Sequence, residues 1–278
     1  KAALIRNTPA GTQVEVTTII KNEAPTKKPG LDIGTEEIAN VKHIIGIASG
    51  KGGVGKSSLT VGIGKALAAR DKKVLLIDCD CLKSIDLLTG ITEFLLYNWG
   101  DVIKERCESE NALYSAGDVS VVTCPDSYED ITPEQMKELI KNYENSFDYI
   151  LLDSPAGIDK GLTLACSVAD RGLVVSTPDL VCVRSACIAA REMAKQGIED
   201  TRLIINRVKK RDITKGRLLN VDSVIDSTEI QLIGVVPEDA KIRLGSMGQG
   251  IFKKGQVSYK AFQNIAARLE GTSVPLKF

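Results

Sequence analysis

The feature that most limits what this chain can fold into is Gly50-Lys51-Gly52-Gly53-Val54-Gly55-Lys56-Ser57. It satisfies the pattern G-x-x-x-x-G-K-[ST], a loop that works only between a buried strand and the start of a helix. The flanks have that form. Upstream, His43-Ile44-Ile45-Gly46-Ile47-Ala48 is an apolar run of strand length, and downstream Ser58 to Arg70 places Leu59, Ile63, Ala66 and Leu67 at helical spacing. Glycines at 52, 53 and 55 let the backbone turn so that successive N–H groups face one point, and the following helix adds its own N-terminal N–H groups and dipole. That point suits a phosphate. Gly50, Lys51, Gly52, Gly53, Val54, Gly55, Lys56, Ser57 and Ser58 are therefore the candidate phosphate-binding residues. Lys56 is the candidate for the β- and γ-phosphates, and the Ser57 hydroxyl for Mg²⁺.

From His43 onward, short apolar runs alternate with amphipathic stretches. Strands are expected at Lys73–Asp78, Val119–Cys124, Asp148–Asp153, Gly172–Thr177, Arg202–Asn206 and Leu232–Val236. Helices are expected from Pro133 to about Asn145, over Val183–Lys195 and over about Ser258–Leu269. Thr132-Pro133-Glu134-Gln135 supplies the first of these with an N-cap, a proline at the first position and a glutamine able to reach back. Continuous apolar strands between amphipathic helices predict an α/β fold, a doubly wound and mostly parallel sheet with helices on both faces. Ligands in such sheets bind at the carboxyl ends of strands. Residues 1–42 differ. Val14–Ile20 has strand-like alternation, Asn22–Gly34 carries Pro25, Pro29, Gly30 and Gly34 and reads as a linker, and Thr35–Asn40 reads as a helical turn. The expected division is an N-terminal extension and linker at 1–42 and one phosphate-loop domain at 43–278.

Three strand ends carry polar chemistry. Asp78-Cys79-Asp80 closes the second strand, and Asp153-Ser154-Pro155-Ala156-Gly157-Ile158 follows the fourth. Nucleotide-bound Mg²⁺ takes few protein ligands and keeps waters that carboxylates hold, and a carboxylate near a γ-phosphate can orient the attacking water. The competing reading of Asp78 and Asp80 is a strand-end aspartate that caps the next turn. Asn206-Arg207 closes the sixth expected strand. An asparagine offers a donor and an acceptor that match the N6/N7 edge of adenine, although the residue reads equally well as a turn former.

Lys51, placed just after the first glycine, and the strings Asp78-Cys79-Asp80 and Asp153–Ile158 resemble the deviant-phosphate-loop ATPases of the MinD/ParA family, the MinD branch in particular. The resemblance spans roughly His43 to Phe278. It implies ATP and Mg²⁺ as cofactors, slow partner-stimulated hydrolysis, an ATP-dependent homodimer and protein partners in the system that positions the division septum. It gives Lys51 a role on the partner subunit's ATP. It makes Lys51, Lys56, Asp80 and Asp153 the catalytic set, Ser57 and Asp80 the metal shell, and Asp153 the sensor of the γ-phosphate. Asn206 and Arg207 then contact the base, with Pro237, Glu238 and Asp239 on its other side. The chain departs from the branch in two places. Cys81-Leu82-Lys83-Ser84-Ile85-Asp86 makes the loop after Asp80 one residue shorter and removes a glycine, and Ser185 stands where a carboxylate is usual. The resemblance implies a basic amphipathic tail for membrane contact; Glu270–Phe278 does not have that character, and whether such a tail belongs to the protein is left open.

Composition narrows the alternatives. Lys+Arg and Asp+Glu both number 36 and aromatics make up 4%, so neither bulk nucleic-acid binding nor a base-stacking surface is expected. No apolar run reaches the ~18–20 residues of a membrane span. Seven scattered cysteines, no Cys-x-x-Cys and a single histidine, His43, exclude a Cys/His zinc site and an iron–sulfur carrier, and read as reduced thiols. The expected compartment is the cytoplasm, with peripheral attachment at the inner face of the cell membrane left open. A flagellar-number regulator of the same branch and a nucleotide-bound scaffold with little hydrolysis are the remaining alternatives.

Overall fold

The computed structural model describes residues 43–92, 95–244 and 252–276. The expected strand, linker and helical turn within 1–42 lie outside these, as do Lys277 and Phe278. Among the described residues, eight strands form one sheet: β1 (His43–Ser49), β2 (Val74–Asp78), β3 (Tyr114–Ala116), β4 (Val119–Val122), β5 (Tyr149–Ala156), β6 (Arg171–Ser176), β7 (Asp200–Val208) and β8 (Gln231–Pro237). Their spatial order is β3-β4-β2-β5-β1-β6-β7-β8. Every pairing is parallel except β3 with β4, which the sequence reading did not anticipate.

Both faces of the sheet are covered, which is why its strands are apolar without alternation. On one face, α1 (Lys56–Ala68) and α10 (Tyr259–Leu269) pack Leu59, Ile63, Leu67, Phe262 and Ile265 onto Ile45, Ile47, Leu76 and Leu151. Each such side chain contributes roughly 1.5–3 kcal/mol by leaving water. The opposite face has two cores. Under α3 (Trp99–Ile103), α4 (Pro133–Lys141) and α5 (Lys160–Cys166) lie Trp99, Met136, Leu139 and Leu164 against Leu75, Ile77, Ile150 and Leu152. Under α6 (Leu180–Lys195) and α8 (Val221–Thr228) lie Val183, Ala186, Met193 and Val224 against Val174, Leu203 and Ile205. Three short helices complete the described set: α2 (Ser84–Thr89), α7 (Lys210–Thr214) and α9 (Ala240–Leu244).

Several boundaries move. The Thr132–Gln135 capping box forms as expected, with both reciprocal hydrogen bonds, but α4 stops at Lys141, not near Asn145. β5 runs through Asp153 to Ala156, so Asp153 sits inside a strand and Ser154 and Pro155 are strand residues. β7 likewise continues past Asn206 to Val208, and because β3 intervenes it is the seventh strand. None of the described helices is long and apolar enough to cross a membrane.

Candidate functional site

The loop between β1 and α1 is held on three sides. Gly50 lies against the backbone of α6: a Cβ there would fall 2.0 Å from the carbonyl oxygen of Ser185. Gly55 is the N-cap of α1 in the left-handed region, at φ 95°. A side chain at that position would meet Asn206 Nδ2 at 2.6 Å. Val54 anchors the loop in the core, and its carbonyl accepts a hydrogen bond from Asn206 Nδ2 at 2.8 Å. The Ser49 hydroxyl donates to the Lys51 carbonyl at 2.9 Å. No side chain caps the start of α1 and no acidic residue occupies its first turn, so its leading N–H groups and dipole face an anion without competition. Lys56 is buried and Lys51 exposed.

Two aspartates face each other across the sheet. Asp78 on β2 and Asp153 on β5 are register partners, and both are fully buried. Asp78 is tied into the fold: Oδ1 accepts from the Asp80 amide at 2.9 Å, Oδ2 from the Ile85 amide at 3.2 Å, and its carbonyl from Trp99 Nε1 at 2.8 Å. Burial, then the neighbouring Asp153, pushes its carboxyl well above the usual range. The turn-capping reading is therefore the one that describes Asp78. Asp80 is half-buried, and its Oδ1 accepts from the Leu82 amide at 3.0 Å.

Asp153 differs. Its Oδ1 accepts from the Thr60 hydroxyl at 3.1 Å, while its buried Oδ2 has no hydrogen-bond partner. Burial raises its carboxyl to about 6 against the pull of the Ser57 hydroxyl, the Lys56 ammonium and the Thr60 hydroxyl. An unsatisfied buried carboxylate oxygen is costly unless a ligand completes it. The donors gathered here are a serine hydroxyl and carboxylates, hard oxygens of the kind Mg²⁺ takes. Among the described residues no group of three or more His, Cys, Asp or Glu could hold a metal by itself. Ser57, Asp80 and Asp153 thus fit a Mg²⁺ that draws its other ligands from phosphate and water.

One cavity of about 470 Å³ joins most of the candidates. Gly52, Gly53, Gly55, Lys56, Ser57, Ser58, Asp80, Asn206, Arg207, Pro237, Glu238 and Asp239 all line it. Gly50, Lys51, Val54 and Asp153 do not: Gly50 lies beneath α6, Lys51 points outward, and Val54 and Asp153 lie in the protein interior. Asn206 keeps one amide hydrogen and one lone pair beyond its bonds to the Val54 carbonyl and the Arg207 amide, so the adenine reading remains geometrically open. Asp239 is more constrained. Its Oδ2 accepts from the amide and hydroxyl of Ser258 at 3.1 and 2.8 Å and its Oδ1 from the Lys241 amide at 3.0 Å, which fixes the turn after β8 to the start of α10. Those bonds outweigh burial and hold its carboxyl below the ordinary value.

Sequence reasoning missed the parts that seven residues play. Leu82, Leu87, Leu88 and Ile242 give the cavity an apolar wall. Thr60 positions Asp153, Trp99 holds the end of β2, and Ser185 backs Gly50. Only Thr60 left a signal, its place one helical turn after Lys56.

Comparison with known proteins shows the family and the fold. The family model of the CobQ/CobB/MinD/ParA nucleotide binding domain matches residues 45–251. The chain belongs to this family. Among its relatives, the septum site-determining protein MinD of Synechocystis sp. is 35% identical over 244 residues, covering 84% of this chain and 92% of that protein. The MinD of Bacillus subtilis is 35% identical over 249 residues, covering 83% and 90%. Among solved structures, the MinD cell division protein of Aquifex aeolicus superposes with a TM-score of 0.78 at 33% identity, covering 85% of this chain and all of that one. The MinD of Pyrococcus horikoshii, described in complex with Mg-ADP, gives 0.73 at 26% identity, covering 82% and 96%. A MinC:MinD complex from Aquifex aeolicus gives 0.79 at 33% identity, covering 85% and 99%.

Proposed function

We propose that this chain is a Mg²⁺-dependent ATPase that dimerises on ATP and acts in placing the division septum. The observation that carries the reading is the single cavity in which phosphate-loop residues, Ser57 and Asp80 meet Asn206, Arg207 and Pro237–Asp239. The MinD relatives and the Mg-ADP complex of one of them support the nucleotide and the biological role. Loop amides and the start of α1 bind phosphate oxygens, and Lys56 adds a buried positive charge beside them. Ser57, Asp80 and Asp153 would hold the Mg²⁺ shell, and Asp80 would also orient the attacking water. When bound, Mg²⁺ supplies charge neutralisation at the phosphates. Catalysis in this arrangement is positioning and electrostatics. Exposed Lys51 reaches the nucleotide of a second copy. The compartment is the cytoplasm, and hydrolysis is slow until a partner protein of the division-site system engages.

Mass in solution tests the reading, measured with ADP, with ATP, and with ATP on an Asp80→Ala variant. ATP doubles the mass, ADP does not, and Asp80→Ala retains the dimer while turnover falls by about 10²–10³-fold. Nucleotide binding without any change in mass would remove the dimer from the proposal. One observation favours a second reading, a nucleotide-bound scaffold with little hydrolysis. Asp80 Oδ1 already accepts from the Leu82 amide, which occupies one of the oxygens that would orient water. Single-turnover measurements with ATP separate the two.

A further inference from the structure

The loop that carries Asp80 also carries a thiol with a partner. Cys81 Sγ and Cys124 Sγ lie 3.9 Å apart. β2 and β4 are adjacent parallel strands, so the segments leaving their carboxyl ends run side by side. Two residues beyond each cysteine, Lys83 and Asp126 form an ion pair. The segments are thus joined by two rungs of matching spacing, one ionic and one between sulfurs. Cys79 is not part of the pair: its Sγ lies 4.0 Å from the Ile77 carbonyl in the core.

The two sulfurs differ in a useful way. Cys81 is half-exposed, whereas Cys124 is fully buried with Trp99, Tyr128 and Ile131. An accessible sulfur can meet an oxidant, and a sheltered neighbour can then resolve the product. The Lys83 ammonium lies within electrostatic reach of Cys124, while burial holds that thiol well above its ordinary range, so Cys124 reacts second, once the half-exposed sulfur has been oxidised. Disulfides in reducing compartments are typically transient and redox-sensing.

We propose that Cys81 and Cys124 are an oxidation site whose disulfide locks the loop bearing Asp80. With hydrogen peroxide as oxidant, Cys81 Sγ attacks one peroxide oxygen. An S–O bond forms, the O–O bond breaks, and the departing hydroxide takes the thiol proton as water. Cys124 Sγ then displaces the sulfenic hydroxyl: the S–S bond forms, the S–O bond breaks, and the Cys124 proton leaves with the hydroxyl as a second water. The two thiols lose two electrons and the peroxide gains them. The sulfurs must close to a bond of about 2.05 Å. Cys124 is packed in the core, so the loop does the moving. It draws Asp80 toward β4 and holds it there, and ATP turnover falls while the phosphate loop still binds nucleotide. The effect on turnover rests on the ATPase reading above.

The test uses the full chain, reduced and then treated with hydrogen peroxide. Free thiols are alkylated, peptides are mapped by mass spectrometry, and ATP turnover and ADP binding are measured alongside. The expected result is a Cys81–Cys124 cross-linked peptide, turnover reduced about tenfold or more with ADP binding kept, and recovery with dithiothreitol. Cys81→Ser is expected to keep untreated turnover and lose peroxide sensitivity, and Cys124→Ala to match it where that buried change is tolerated. Alkylation of both cysteines under conditions that oxidise the half-exposed Cys187 would overturn the proposal, as would full turnover by the cross-linked protein. If the reduced protein does not turn over ATP at all, the ATPase reading fails on its own and the peptide map still decides the pair.

Discussion

Asp153 offers a quantitative test of what the empty-handed fold tolerates. It is fully buried, one of its oxygens has no partner, and burial raises its carboxyl from 3.8 to about 6. A carboxyl that binds its proton more tightly when folded makes stability fall as pH rises between those two values. Without nucleotide, the ionised form then costs on the order of 3 kcal/mol at pH 7, and that cost shrinks toward zero as pH falls to 4. Asp153→Asn removes the charge and keeps an oxygen for the Thr60 hydroxyl. In chelator and without nucleotide, the variant is expected to be more stable than its parent by up to about 3 kcal/mol at pH 7, a rise in Tm of about 6–12 °C. Asp78 relaxes in the same direction, since Asp153 is its second largest perturbation after burial. Paired thermal melts from pH 4 to 8 measure the difference directly. With saturating Mg²⁺ and nucleotide the parent gains stability that the variant does not. A variant less stable than the parent at pH 7, or an advantage that does not shrink toward pH 4, would refute the reasoning.

Three further substitutions probe the loop. Gly50→Ala drives a methyl group into the Ser185 carbonyl, backbone against backbone, and should lower stability by about 1–3 kcal/mol or more in a denaturant titration. Asn206→Ala leaves the buried Val54 carbonyl unsatisfied; a loss of about 1–3 kcal/mol is expected, together with weaker ATP binding in a fluorescent-nucleotide titration. Lys51→Ala, at an exposed position outside the cavity, should keep ATP binding and lose the ATP-driven increase in mass.

The layout was legible wherever one residue type answers one physical demand. β1 and β5 read as strands because both of their faces are buried, which leaves unbroken apolar runs. Thr132 and Gln135 read as a cap because the two hydrogen bonds they make are local. What stayed hidden was short or distant. β3 has three residues, too few for any period to register, and its pairing with β4 is an edge hairpin across Gly117 and Asp118. α2 and α3 are only six and five residues long. The bond from Asn206 to Val54 joins residues 152 apart, and the facing of Asp78 and Asp153 depends on the register of two strands far apart in the chain. No local pattern encodes those meetings.

That register also explains why two similar aspartates have different tasks. Asp78 and Asp153 occupy the same level of adjacent strands, are equally buried, and disfavour each other's charge. The chain resolves one of them internally: the loop after β2 folds back so that the Asp80 and Ile85 amides cover both oxygens of Asp78. It gives Asp153 no backbone amide: the Thr60 hydroxyl bonds to Oδ1, the Ser57 hydroxyl is nearby, and Oδ2 has no hydrogen-bond partner. A fold selected for stability alone would have covered both, because each uncovered buried oxygen costs about 1–3 kcal/mol. The asymmetry supports the proposed ligand-binding role for Asp153 and a scaffolding role for Asp78. It also couples ligand to fold: whatever satisfies Asp153 Oδ2 stabilises the native state by relieving a cost already present in it.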